Sequence, residues 1–86
     1  MDAQEILKRY AAGQRDFTRV SLIQVCLTNA NLIGAHLNGA HLVGANLRGT
    51  DLTGVNLRET KLEGANLKGA YLDESELQAV EVSKYC

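Results

Sequence analysis

The chain has 86 residues, nine of them basic and ten acidic, with a net charge of −1, which suits a single small domain. It holds no apolar run of about 18 residues, which excludes a membrane-spanning helix, and its balanced charge offers no basic stripe for nucleic acid. The first residues lack the charged, apolar and small-residue succession of a secretory signal, so a cytoplasmic protein is expected.

Residues 1–14 differ from everything after them. Asp2 and Glu5 have the spacing of a capping box. Ile6, Leu7, Tyr10 and Ala11 fall on one face of a helix. Gly13 is the expected stop. The spacing predicts a short amphipathic helix over residues 3–12, too short to hold by itself. Its apolar face therefore needs a cover. One reading makes it a hydrophobic cap on the segment that follows; the other makes it a binding helix for a partner or a membrane. Asp2, Glu5, Lys8 and Arg9 balance in charge, which argues against a basic membrane anchor.

From residue 15 the chain repeats every five residues. The recurring centres are Phe17, Leu22, Leu27, Leu32, Leu37, Leu42, Leu47, Leu52, Leu57, Leu62, Leu67, Leu72, Leu77 and Val82. A small residue stands two before nearly every centre, a polar one usually just before it, and a Gly commonly two after it. A helix advances about 100° per residue, so a period of five scatters the centres around its whole circumference. A straight strand sends successive centres to opposite faces. The chain must instead turn once per unit and return each centre to a shared interior. Seven of the eight glycines take the same place in the unit, where a type II turn needs positive φ. Such units stack into a solenoid.

The motif of a small residue, Asn or Asp, Leu and two variable positions resembles that of the pentapeptide-repeat proteins. The chain looks most like their short bacterial members, notably cyanobacterial ones. The resemblance implies a right-handed, four-sided β-helix in which four units complete a coil. An all-β fold of about three and a half coils follows, with the N-terminal helix as its cap. The expected division is a capping helix over 1–14, the repeat over 15–84 and a tail over 85–86. End-to-end dimers through C-terminal coils, known in larger members, make a homodimer through that end reasonable here.

The outward residues carry whatever recognition there is. Residues 20–47 contain no Asp, Glu, Lys or Arg. Within them Ile23, Ile33 and Val43 follow a centre and so point outward, either as a small interaction patch or as tolerated surface aliphatics. His36 and His41 precede centres, and with no cysteine or carboxylate at ligand spacing they argue for an outward polar ladder over a metal site. Mixed charge returns from Arg48, and Asp73, Glu74, Glu76 and Glu81 form an acidic patch near the end. Cys26 and Cys86 are sixty residues, or three coils, apart. At about 4.8 Å per coil that is roughly 14 Å, beyond the reach of a disulfide, so free thiols are expected, with a crosslink between molecules through Cys86 as the alternative.

No nucleophile and base converge, no glycine loop has a reason to cradle phosphate, and the leucines fill the interior. The expectation is a non-enzymatic scaffold with no cofactor and no metal, presenting flat faces to a protein partner. The alternative is the activity for which long acidic relatives are known: mimicry of duplex DNA to regulate a gyrase-type topoisomerase. Duplex DNA carries about one charge per 1.7 Å, and the repeat, with eight acidic and six basic residues over 15–82, falls well short of that.

Overall fold

The computed structural model describes residues 1–73 of the protein. Helix α1 spans Ala3–Ala11. After it the chain coils, and nearly every bridge joins residues twenty apart: Asp16 to His36, Ser21 to His41, Cys26 to Asn46, Asn31 to Asp51, and so on upward. Twenty residues are four units, so four units make one turn of the coil. Only Asp51–Leu52 (β1) and Tyr71–Leu72 (β2) form ladders long enough to count as strands, and they pair in parallel. The all-β expectation meets a structure with little regular strand. The reason is the corner every five residues, which leaves most sides room for one bridge each.

The unit centred on Leu37 shows how the backbone is satisfied. The His36 amide donates down to the Arg15 carbonyl at 2.7 Å. The amides of Leu37 and Gly39 donate up to the carbonyls of Asn56 and Arg58 at 3.0 and 2.8 Å. The Ala40 amide closes the corner onto the Leu37 carbonyl at 3.0 Å. At each corner the third turn residue alone has positive φ, as in a type II turn. Gly34, Gly54 and Gly64 adopt it readily, and so, without a glycine, do Arg19, Gln24, Asn29 and Glu59.

The interior is one column of side chains. Phe17 and the leucines from Leu22 to Leu67 are all buried, and Leu72 is partly buried at the upper limit. Ala35, Ala40, Val55 and Ala65 fill the small inward places. Thr50 and Thr60 take such places too, and their hydroxyls donate to the carbonyls of Leu27 and Leu37 at 2.7 and 2.8 Å. A threonine therefore enters this interior with its polar group satisfied. The expected centres Leu77 and Val82, the tail 85–86 and the total number of coils lie outside the described residues.

Helix α1 closes the lower end. The Asp2 carboxylate accepts from the Glu5 amide at 2.8 Å. The reciprocal half of a capping box is missing, because Glu5 turns instead to Arg9 at 2.6 Å. Gly13, with φ of 103°, ends the helix in a Schellman motif, where the amides of Gly13 and Gln14 donate to the carbonyls of Tyr10 and Arg9. The buried face differs from the expected one. Ile6 is fully buried against the first coil with Ala3 and Tyr10 beside it, whereas Leu7 is 38% exposed. Leu7 lies about 100° around the helix from Ile6, and the run Ala3, Ile6, Tyr10 leaves it outside the contact.

Candidate interaction faces

The twenty-residue register sorts the outward residues onto four sides. Side one carries residues 15–19, 35–39 and 55–59; side two 20–24, 40–44 and 60–64; side three 25–29, 45–49 and 65–69; side four 30–34, 50–54 and 70–73.

The residue before each centre has a local task. Where it is Asn or Asp, its Oδ1 accepts from the amide two residues on. This holds for Asp16, Asn31, Asn46, Asp51, Asn56 and Asn66, at 3.0 to 3.2 Å. That amide is the one amide in a unit that reaches neither a neighbouring coil nor the corner. The polar residue therefore completes its own unit, and the expected ladder of side chains from coil to coil is replaced by a bond within each unit. The habit of Asn and Asp to bond the backbone two residues on could have revealed this. His36 and His41 occupy the same place without supplying it, and among the described residues the amides of Asn38 and Val43 have no partner. The two histidines stand on adjacent sides, one and two.

Two ionisable groups are shifted in this frame. The Thr18 hydroxyl, then its amide, holds the Asp16 carboxyl below its usual value, with a smaller contribution from His36 across the bridge. Cys26 replaces the usual Asn on side three. Its exposed thiol lies 3.6 Å from the Thr28 hydroxyl, and that hydroxyl, then the Thr28 amide, lowers its pKa. Cys86 lies outside the described residues.

The expected aliphatic patch is divided. Val43 stands one coil above Ile23 on side two, but Ile33 is two units away on side four. Ile23 and Ile33 are exposed and Val43 is half-buried. Of the acidic patch, Asp73 is described: its carboxylate accepts from the Gly54 amide at 2.8 Å, a group that lower in the coil would meet a backbone carbonyl. Glu74, Glu76 and Glu81 lie outside the described residues.

Charge is distributed by side. Side three carries Arg48 and Lys68, one above the other, and no acid; side four carries Asp51 and Asp73 and no base. Sides one and two mix both signs, and Arg19, His41, Glu59, Lys61 and Glu63 line a shallow open groove where they meet. Read along the chain, the same residues look like a gradient from uncharged through mixed to acidic; folded, they are sorted around the coil. Among the described residues no three His, Cys, Asp or Glu side chains gather as metal ligands, and no helix is long and apolar enough to cross a membrane.

The chain is similar to known proteins along most of its repeat. Over 29 residues, 34% of this chain and 18% of the relative, it is 66% identical to an uncharacterized protein of the cyanobacterium Synechocystis. It is also similar to the crystal structure of a pentapeptide repeat protein (Rfr23) from the cyanobacterium Cyanothece 51142. That match has a TM-score of 0.65 and 49% identity, and covers 67% of this chain and 40% of the other. The chain thus spans less than half the length of either relative. The family described as pentapeptide repeats matches residues 16–54 and 50–83. Together with the solved neighbour, this match implies a right-handed β-helix, and the chain belongs to the pentapeptide-repeat family.

Proposed function

We propose that this protein is a non-enzymatic scaffold whose flat sides offer separate chemistries to a protein partner. Proteins of the family are generally non-enzymatic interaction scaffolds. The observation that carries the reading is the segregation of charge. Arg48 and Lys68 share side three while Asp51 and Asp73 share the adjoining side four. A partner laid along that corner meets cations on one side and carboxylates on the other, and complementary charge of this kind favours specificity over raw affinity. A duplex mimic needs acid along the rod, and a side bearing only cations works against it. In this reading the compartment is the cytoplasm, where an exposed thiol such as Cys26 stays reduced.

The test is a photoreactive residue placed in turn at Arg58, Glu63, Lys68 and Thr53, one for each side. Cross-linking in cells concentrated at Lys68 and Thr53 is expected. Equal labelling from all four sides, or none, would sink the proposal. Inhibition of gyrase supercoiling by micromolar protein would favour the DNA mimic instead.

A further inference from the structure

Glu59 breaks a pattern that the upper corners otherwise keep. From Gly34 upward every other described corner residue with positive φ is a glycine, and Glu59 adopts a φ of 61° without being one. A side chain in the left-handed region costs conformational energy, and such outliers gather where a function retains them. The Glu59 carboxylate is exposed and is not held by its own chain. Among the described residues it makes no hydrogen bond, and the only ion pair there joins Glu5 to Arg9.

Arg19, Gly39 and Glu59 stand one above another at the corner of sides one and two. Arg19 also has positive φ, 63°, and its exposed guanidinium is likewise unpaired among the described residues. No other corner column carries a charge among the described residues; the residues below the glycines of sides two and three are Gln24 and Asn29. This one column bears a cation at its foot and an anion two coils higher, about 10 Å apart at about 4.8 Å per coil. Between them a β-carbon on Gly39 would lie 3.0 Å from Arg19 Cγ, so its absence lets Arg19 lean up the column. The groove beside the column, lined also by His41, Lys61 and Glu63, is shallow and open. It cannot enclose a small ligand, and it fits the edge of a macromolecule.

The order of charge selects that macromolecule. A column with Arg19 low and Glu59 high is complementary to itself turned upside down. A twofold axis at the height of Gly39, perpendicular to the coil axis, sets Arg19 of one copy against Glu59 of a second and repeats the pair in reverse. We propose that two copies dimerise antiparallel across this corner, through reciprocal Arg19–Glu59 pairs about Gly39. The contact is closed by its own symmetry, so it stops at two copies. It is narrow and polar, hence weak and sensitive to salt. It lies diagonally across the coil from the corner of sides three and four that the scaffold reading uses, and the two stand or fall separately.

Sedimentation of the full chain up to about 1 mM tests this, with charge exchanges at two positions that already hold long side chains at positive φ. At low salt the unaltered protein is expected to reach the mass of a dimer and no more, with an association constant about tenfold lower at about 0.5 M salt. Arg19→Glu sets acid against acid and Glu59→Arg sets base against base; each alone is expected to associate at least about tenfold less. Mixed in equal amounts, the two are expected to form a one-to-one dimer, because both contacts then join opposite charges. Both exchanges in a single chain are expected to restore the dimer. Glu59→Gly removes the carboxylate and supplies the residue that neighbouring corners use. It is expected to stay folded by circular dichroism and to lose association, and it stands in for any exchange that misfolds. A wild-type monomer at about 1 mM and low salt overturns the proposal, as does growth past a dimer. So does undiminished association of Glu59→Gly, or a mixture of the two single exchanges that stays monomeric, which assigns the pair to one chain.

Discussion

The side chain of Asn29 leans up into the space that a β-carbon on Gly49 would occupy. Both residues belong to one corner column and both have positive φ. The lower corner keeps a side chain because the upper one gives it room. Gly54 differs, since the nearest atoms to an added β-carbon there are the backbone of Gly34 at 3.8 Å. Gly54→Ala is expected to lose about 1–2 kcal/mol from the left-handed backbone alone. Gly49→Ala adds the collision with Asn29 and is expected to lose about 1–3 kcal/mol more. Denaturant titration of Gly49→Ala with and without Asn29→Gly checks this, because the second change should remove most of the extra loss and none of the backbone part.

The bond from Asn56 Oδ1 to the Arg58 amide predicts opposite effects at two equivalent places. Asn56→Ala removes the acceptor and is expected to cost about 0.5–1.5 kcal/mol, while Asn56→Asp retains it. His36→Asn supplies an acceptor where the Asn38 amide has none, and is expected to gain up to about 1 kcal/mol. Equal midpoints for His36→Asn and the unaltered protein would remove this account of the motif.

Helix α1 offers a contrast between neighbours. Ile6→Ala opens a cavity under the first coil and is expected to lose about 2–5 kcal/mol. Leu7→Ala, on the exposed flank, should stay within about 0.5 kcal/mol. Tyr10→Phe loses the bond to the Ile33 carbonyl and should fall between them, near 1 kcal/mol. Thermal melts rank the three.

Asp16 sets a pH dependence. Its folded pKa lies below the unfolded value of about 3.9. The ionised carboxylate therefore contributes stability above about pH 4, and that contribution is lost as pH falls through the folded value. Asp16→Asn retains an acceptor for the Thr18 amide and removes the titration. Its stability is expected to decline less between about pH 4 and pH 2 than that of the unaltered protein.

The coil was largely legible in the residues, because a period of five has few ways to bury one side chain per unit. The corners were legible for the same reason, through the glycines. The buried face of α1 was legible only in part: Ile6, Leu7, Tyr10 and Ala11 share an arc, but which part of the arc touches Phe17 and Leu22 depends on how the helix lies across the coil. The task of Asn and Asp before each centre was legible only through their habit of bonding the backbone two residues on, because an outward polar residue otherwise reads as mere surface. The sorting of Arg48, Lys68, Asp51 and Asp73 by side required knowing which units stand above one another. A five-residue pattern does not state that; a twenty-residue register does.

That register makes length and rotation the same variable. Remove residues 55–59, and every leucine still reaches a centre and every corner still closes. The interior hardly registers the loss, yet everything above it swings a quarter turn, and Lys68 leaves Arg48 to stand over Val43. Remove twenty residues and the sides realign. Insertions and deletions in this chain therefore act as a dial: steps of five re-index its outer chemistry, steps of twenty only change its height, and a core-based measure of foldedness reads both alike.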